Sequence, residues 1–432
     1  MEPMTIGAIS LVLMLVLIWM GIHIAVVLML LSFVGVWMIR GDFTVAERLL
    51  TLSAYESINN YLFGVVPLFV LMGLMVSEAD VGRDAYRVAE QLFRRFKGGL
   101  GIATIVANAA FAAVTGISIA SAAVFTKISV PEMLRAGYAP RLAVGVVAGS
   151  SVLGMLIPPS LLLIVYAFLA DQSIAAMFLA GILPGIILAT LMSAYVYVVG
   201  VRRPKMVGGA GPAVRGDHLT VWEMARALTP LVILIGGVLG GIYGGVFTPT
   251  EAGAAGAFGA TVIALLRGKL TRAALWHILK ETGYITVSIC FLLIAASIYT
   301  RMLTMSGIPQ GVAEGLAALK LGYFGFLAVF IAVVVVMGCV LDSTSILLIT
   351  VPLMLPVAKS LGMDLVWFGI VTVIATEIGL LTPPFGLSVF VVKSTLNDES
   401  IGINEIFAGA LPFVLIMLSC LILLIAFPAL IG

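Results

Sequence analysis

Gly154-Met155-Leu156-Ile157-Pro158-Pro159 lies inside one long apolar run, and Gly379-Leu380-Leu381-Thr382-Pro383-Pro384 lies inside another, 225 positions later. Each proline removes an amide donor, and its ring clashes with the preceding turn, so a Pro-Pro pair stops a helix. At membrane depth the carbonyls released in this way need partners. Such a break persists only where protein buries it or where it lines a polar cavity.

The surroundings of both runs are those of a membrane protein. The chain is 62% hydrophobic and only 10% charged, with a mean hydropathy of +1.21. Soluble domains carry roughly 25% charged residues, so this chain cannot build a water-compatible surface and is expected to sit in a lipid bilayer as an all-α polytopic protein. A net charge of +2, with no basic patch interleaved with aromatics, gives no reason to expect a nucleic acid partner. Cys290, Cys339 and Cys420 are odd in number and far apart, which implies neither a disulfide framework nor a metal site. His23, His218 and His277 are equally scattered. The start, Met1-Glu2-Pro3-Met4, lacks a positive n-region and leads into two apolar segments, which reads as a first membrane helix and not a cleaved signal peptide.

Stretches suited to a hydrocarbon core of ~30 Å fall near 5–20, 22–39, 61–78, 142–168, 174–200, 223–246, 249–266, 276–300, 363–392 and 403–431. Two more, 98–133 and 322–358, are interrupted by Gly, Ser, Thr and Pro. The double proline is one of several correspondences: Gly116 matches Gly338, Gly137 matches Gly362, Ala180-Gly181 matches Ala408-Gly409, and Leu183-Pro184 matches Leu411-Pro412. Asp171-Gln172-Ser173-Ile174 likewise resembles Asp398-Glu399-Ser400-Ile401. The chain therefore reads as two repeats. Residues 1–200 hold the first (hairpin 98–133, broken helix 142–168), 201–221 form a cytoplasmic linker, and 222–432 hold the second (hairpin 322–358, broken helix 363–392). Helices broken at matching positions of two repeats point to the ion and substrate site of a secondary transporter.

Lys and Arg in short loops stay cytoplasmic. Four clusters qualify: Arg83, Arg87, Arg94, Arg95 and Lys97; Arg135 and Arg141; Arg202, Arg203, Lys205 and Arg215; Arg267, Lys269 and Arg272. With all four on one side, 98–133 enters and leaves on the same face as a re-entrant hairpin, and 322–358 opens to the opposite face. The repeats are then inverted, with both termini outside and Arg40 and Arg301 as exceptions. Residues 81–97 read as an amphipathic helix, with Ala85, Val88, Ala89, Leu92, Phe93 and Phe96 on its apolar face. It either braces the hairpin at the interface or serves as an ordinary loop helix.

The tips of the interrupted segments are rich in small and hydroxyl residues: 115–122 around Gly116, Ser118 and Ser121, and 338–345 around Gly338, Leu341, Ser343 and Ser345. Small residues let backbones approach closely, and unwound carbonyls with hydroxyls offer the hard oxygens that a sodium ion takes. Packing is the competing role for every one of these residues. The ligand reading predicts one sodium ion among Gly116, Ser118, Ser121, Ser150, Ser151 and Gly154. A second is predicted among Gly338, Leu341, Ser343, Thr376, Gly379 and Thr382. Substrate is expected between them, against Ser118, Ser151, Pro158, Pro159, Ser345, Pro383 and Pro384. Helix N-termini there favour an anion, and neither broken segment contains an arginine clamp. Glu377 either carries a proton or caps unwound backbone. Asp342 either flanks an ion or caps its hairpin arm. Glu132 and Glu251 read as helix starts after Pro131 and the Pro249-Thr250 pair. No HExxH, no paired intramembrane-protease aspartates, no Walker A loop and no Ser/His pair supports an enzyme, and without a nucleotide site energy must come from ion gradients.

Gly149–Ser160, Pro249-Thr250-Glu251-Ala252, Phe368-Gly369-Ile370 and Gly379–Gly386 resemble the large membrane subunit of tripartite ATP-independent periplasmic (TRAP) transporters, the DctM type. The resemblance runs almost end to end. It implies a multi-pass protein of the bacterial cell inner membrane, driven by Na+ as the coupling ion, with an elevator-like moving domain made of the hairpins and broken helices. It implies a small four-helix membrane subunit of the DctQ type, expected as a separate polypeptide. It also implies a periplasmic substrate-binding protein of the DctP type, which does most of the selecting and delivers an organic carboxylate or sulfonate. The alternative is a stand-alone sodium- or proton-coupled di- or tricarboxylate carrier of the wider superfamily. That group has Asn in its hairpin tips, which 116–122 and 338–345 lack. A third class, a passive channel, would never move substrate beyond equilibrium.

Overall fold

The computed structural model describes residues 2–59, 61–208, 219–318, 322–396 and 398–431. Arg215, and all but the first residue of the Gly-rich run 208–211 in the expected linker, lie outside them. Among the described residues every regular element is helical, and one isolated bridge joins Tyr138 to Val207. This follows from the solvent, because a segment in hydrocarbon must satisfy its backbone internally.

Six described helices are long and apolar enough to cross a membrane alone, or up to eight if each of two bent pairs forms one span. Several expected spans are shorter. Pro3–Trp19 and Ile24–Arg40 have 17 residues each, as does the hairpin arm Gly322–Gly338, about 25 Å at the α-helical rise. Arg272–Ser306 has 35 residues, about 52 Å, and overruns any hydrocarbon core. Two helices, Phe43–Ile58 and Ile308–Ala318, fall outside every expected segment. Phe43–Ile58, carrying Glu47, Arg48 and Glu56, is capped by Asp42, which accepts from the Thr44 amide at 2.8 Å. It packs on Ile24–Arg40 and Arg272–Ser306, where Glu56 pairs with Arg301.

The Val65–Glu78 helix turns by 62° into Val81–Phe93, through Asp80 in the left-handed region. Of the apolar face expected over 81–97, Ala85, Val88 and Ala89 are buried, while Leu92 and Phe96 are exposed and the helix stops at Phe93. The Arg267 guanidinium holds the bend by donating to the Asp84 carboxylate at 2.6 Å and the Ala79 carbonyl at 2.9 Å. Lys269 pairs with Asp80 at 2.8 Å. The Arg267 and Asp84 side chains are only 23% and 24% exposed, between the surface regime (~0–1 kcal/mol) and the buried one (~3–5 kcal/mol). Arg267→Ala is therefore expected to destabilise by about 2 kcal/mol, read as a lower unfolding midpoint in detergent. Lys269→Ala, at a more exposed pair, should shift it less.

One succession of elements then occurs twice. Gly99–Thr115 and Ser118–Arg135 pack as a helical hairpin, followed by Pro140–Ser151, Leu153–Leu156, Leu161–Ala170 and the long Ile174–Arg202. Gly322–Gly338 and Ser343–Ser360 form the second hairpin, followed by Leu365–Leu380, Leu387–Thr395 and Ile403–Ala426. The unwound backbone lies at Ile157–Ser160 and Leu381–Gly386. Ser150 and Thr376 thus sit in helix before the breaks. The Pro131 position also differs from expectation, since it lies inside a continuous helix. Glu132 is in that helix's last turn, paired with Arg135 at 2.8 Å, and starts nothing. Glu251 does start one, closing a capping box with Thr248.

The two halves interlock. Leu161–Ala170, beyond the first break, packs on the second hairpin arm Ser343–Ser360, and Leu387–Thr395, beyond the second break, packs on the first hairpin arm Ser118–Arg135. The Tyr166 hydroxyl donates to the Leu365 carbonyl at 2.7 Å across the same divide. Gly145 and Gly149 face Ile403–Ala426, where an added Cβ would meet Gly409 O at 2.2 Å or Phe413 Cγ at 2.3 Å. This small-xxx-small spacing lets the two helices touch backbone to backbone.

Candidate functional site

The first hairpin turns at Gly116, left-handed at φ +62, which a residue with a Cβ rarely adopts. Its carbonyl accepts from the Leu161 amide at 3.3 Å, and a Cβ there would meet Pro159 O at 2.6 Å. The tip is therefore seated directly on the first double proline. Gly154 lies beside it, 3.3 Å from its ideal Cβ to the Ser118 amide nitrogen. Ser160 caps the helix after the break, and its hydroxyl also donates to the Met155 carbonyl at 2.5 Å.

Behind the tip, Asn108 joins two of the expected residues. Its amide donates to Ser150 Oγ at 2.9 Å and its carbonyl oxygen accepts from the Ser121 hydroxyl. Asn108 is fully buried and was absent from the expected set. The detectable signal was a lone amide at membrane depth eight residues before the tip. The Ser151 hydroxyl donates to its own helix at Ala148 O, 2.8 Å. Ser118 Oγ is buried and has no hydrogen-bond partner among the described residues. An orphaned hydroxyl oxygen beside Gly154 suits a hard cation.

The second tip is built differently. Gly338 and Gly379 meet so closely that a Cβ on either would lie 2.6 Å from the other's Cα. Cys339 O accepts from the Phe385 amide at 3.3 Å, tying the tip to the second double proline. Asp342 caps Ser343–Ser360, accepting from the amides of Thr344 (3.1 Å) and Ser345 (3.2 Å) and from the Ser345 hydroxyl. Glu377 lies inside the Leu365–Leu380 helix and caps no unwound backbone. It accepts from the Ser343 hydroxyl at 2.9 Å, and its second oxygen is buried without a hydrogen-bond partner among the described residues. The Thr376 and Thr382 hydroxyls donate to Thr372 O (2.9 Å) and Ile378 O (2.7 Å), which leaves their oxygen lone pairs available. Leu341 is half-buried in the turn.

The structure brings Gly154 against Ser118 and links Ser121 to Ser150 through Asn108 at the first tip, and sets Gly338 against Gly379 at the second, with unequal exposure of the two breaks. Pro158 and Pro159 are buried together with Ser118 and Ser151, whereas Pro383, Pro384 and Phe385 are exposed. Ser345 and Asp342 line an open cavity of about 380 Å³ together with Gly21–Ile24 and Ser288. Lys393, in the helix after the second break, donates to Ile401 O at 2.8 Å and so turns away from the gap. Among the described residues no group of three His, Cys, Asp or Glu is placed to hold a metal ion. Any cation here would be held by hydroxyl, amide and carbonyl oxygens with Glu377.

Comparison with known proteins agrees with this architecture. Residues 11–430 match the sequence profile described as "Tripartite ATP-independent periplasmic transporter, DctM component". The C4-dicarboxylate TRAP transporter large permease protein DctM of Pseudomonas aeruginosa is 34% identical over 88% of this chain and 88% of its own. The isethionate TRAP transporter permease protein DctMQ of Oleidesulfovibrio alaskensis is 29% identical over 87% of this chain, which spans 58% of that longer protein. In fold, the chain superposes on Neisseria gonorrhoeae MtrF with a TM-score of 0.63, at 14% identity, covering 100% of this chain and 94% of that one. A match over nearly the whole length of a transport-permease family, with apolar spans throughout, makes this a multi-pass inner-membrane transport protein and not an enzyme: the chain belongs to the DctM family of TRAP transporter large permeases.

Proposed function

We propose that this chain is the large permease of a sodium-driven importer of an organic acid anion, working with a DctQ-type small membrane subunit and a DctP-type periplasmic binding protein. The observation that carries the coupling is the pairing of each hairpin tip with its own break, each pair containing a buried oxygen without a partner: Ser118 Oγ in one, Glu377 Oε2 in the other. A buried polar atom left unpaired costs ~1–3 kcal/mol, and a cation at each tip would offset that. Gly116, Ser118, Ser121, Ser150, Ser151 and Gly154 would hold the first ion. Gly338, Leu341, Ser343, Thr376, Gly379 and Thr382 would hold the second, with substrate along the two double prolines. The buried first break and exposed second break support one-sided access, and an elevator-like movement of the hairpins and broken helices in inverted repeats would exchange the sides. The carboxylate of the C4-dicarboxylate relative's cargo and the sulfonate of isethionate are both anions, and bound cations with helix N-termini would serve either.

Glu377 favours a second reading, proton coupling, because a buried carboxyl with one free oxygen could also take up a proton. Proteoliposomes containing the permease, the small subunit and the loaded binding protein separate the two. Under the sodium reading, uptake follows an imposed sodium gradient at fixed pH, and Glu377→Gln keeps some sodium-driven transport. Uptake driven only by a pH gradient without sodium, and lost in Glu377→Gln, overturns it. Concentrative uptake by the large permease alone would instead identify a stand-alone carrier.

A further inference from the structure

Three arginines that no part of the transport site uses converge on one cavity. Arg141 opens the helix that leads to the first break, and Arg202 and Arg203 end the long helix Ile174–Arg202 and its cap. Together with Tyr195, Met206 and Pro412 they line a space of about 330 Å³. Among the described residues its lining contains no carboxylate, and none of the three arginines is ion-paired.

The walls of the cavity and one of its arginines are held in place, while all three arginines are exposed at its mouth. Arg141 is anchored by donating to the Ala408 carbonyl at 2.8 Å, beside the tight Gly145–Gly409 crossing. Tyr195 stacks edge-on against Phe413 at 5.4 Å. The floor is a 3-10 turn, Pro204–Met206, tied to the start of the first broken helix by the Ala139 amide donating to Met206 O at 3.0 Å. Guanidinium groups match phosphate oxygens in paired geometry. Basic pockets between membrane helices on one face suit anionic headgroups. Apolar residues beside it in sequence are exposed, Val198 in the lining itself, Val201 in the same helix and Leu411 in the facing one, as an acyl chain would require.

We propose that this cavity is a phosphate-binding site for the headgroup of an anionic phospholipid. The bound phosphate ties the start of the first broken helix to the end of Ile174–Arg202 and to the start of Ile403–Ala426 in the other half of the chain. The same chemistry would accept free phosphate, and the test distinguishes the two.

The full-length permease in detergent is titrated with dioctanoyl phosphatidylglycerol, dioctanoyl phosphatidylcholine or inorganic phosphate, and adducts are read by native mass spectrometry together with the unfolding midpoint. The glycerol lipid should bind and raise the midpoint, and the choline lipid should bind at least tenfold more weakly. R202Q/R203Q, which leaves the Arg141 anchor in place, should weaken phosphatidylglycerol binding at least tenfold. R202K/R203K, which keeps the charge but not the paired geometry, should retain more binding than R202Q/R203Q and less than wild type, and R272Q/K280Q, which removes two exposed bases elsewhere, should change it less than twofold. Phosphate that binds alone and displaces the lipid, both in an Arg202/Arg203-dependent way, would assign the site to the free ion. Equal binding of the two lipids, undiminished binding by R202Q/R203Q, or no binding of lipid or phosphate overturns the proposal.

Discussion

Gly379→Val is expected to abolish uptake and to lower the unfolding midpoint more than any surface substitution. An ideal Cβ at Gly379 lies 2.6 Å from Gly338 Cα and 2.8 Å from Val335 O, and both are backbone atoms of the facing hairpin arm. Carbon atoms settle at about 3.5–4.0 Å, so the arm must retreat by about 1 Å even for alanine. Overpacking of this kind costs ~1–3 kcal/mol, and valine adds two further carbons against a wall that cannot rotate away. The Ser343–Glu377 hydrogen bond lies just beyond the crossing, so retreat of the arm also opens the second tip. Gly338→Ala and Gly379→Ala should each reduce uptake at least tenfold, and the double variant should fall short of the summed loss because both act on one contact. Gly236→Ala, where a Cβ meets nothing within 4 Å, is the control and should stabilise by up to ~1 kcal/mol. A Gly379→Val protein with wild-type stability and uptake would refute the tight crossing.

Asn108→Ala should be nearly as damaging for a different reason. The amide serves Ser150 and Ser121 at once, in a position closed to water. Its removal leaves two buried hydroxyls short of partners, at ~1–3 kcal/mol each, and a void where the amide stood. A loss of about 2–5 kcal/mol is expected, measured by thermal unfolding. Under the proposed sodium assignment, the concentration for half-maximal uptake should also rise at least tenfold, because Ser121 and Ser150 lose the group that orients them. Ser121→Ala keeps the Asn108–Ser150 bond and should give the smaller effect on both measures. Equal stability of Asn108→Ala and wild type would mean the amide is not part of the tip.

The gap between reading and structure is clearest at these two places. Gly116 and Gly338 stand out in the sequence because a glycine between two apolar arms marks either a turn or a close contact. That Gly338 touches Gly379 needed the arms in place. Asn108 is a single amide in an apolar helix, and its partners Ser150 and Ser121 are set only by how that helix packs. The charges of Phe43–Ile58 lower its hydropathy below that of a span, and only Arg301 shows why Glu56 is among them. Pro131 was read as a boundary, yet its helix runs through it to Arg135.

By itself the sequence determined the class of fold, the two helix breaks and the two hairpins. Proline removes a donor, glycine frees a turn and apolar runs require helix, and each of these effects acts within a few residues of its cause. Tertiary structure alone decided which oxygens share a tip, that Glu377 faces Ser343, and that each half-helix beyond a break packs on the other half's hairpin. It also decided that the first double proline is buried while the second is exposed. Contacts between distant segments depend on how whole helices pack, and nearly the same repeated motif can be closed in one half and open in the other.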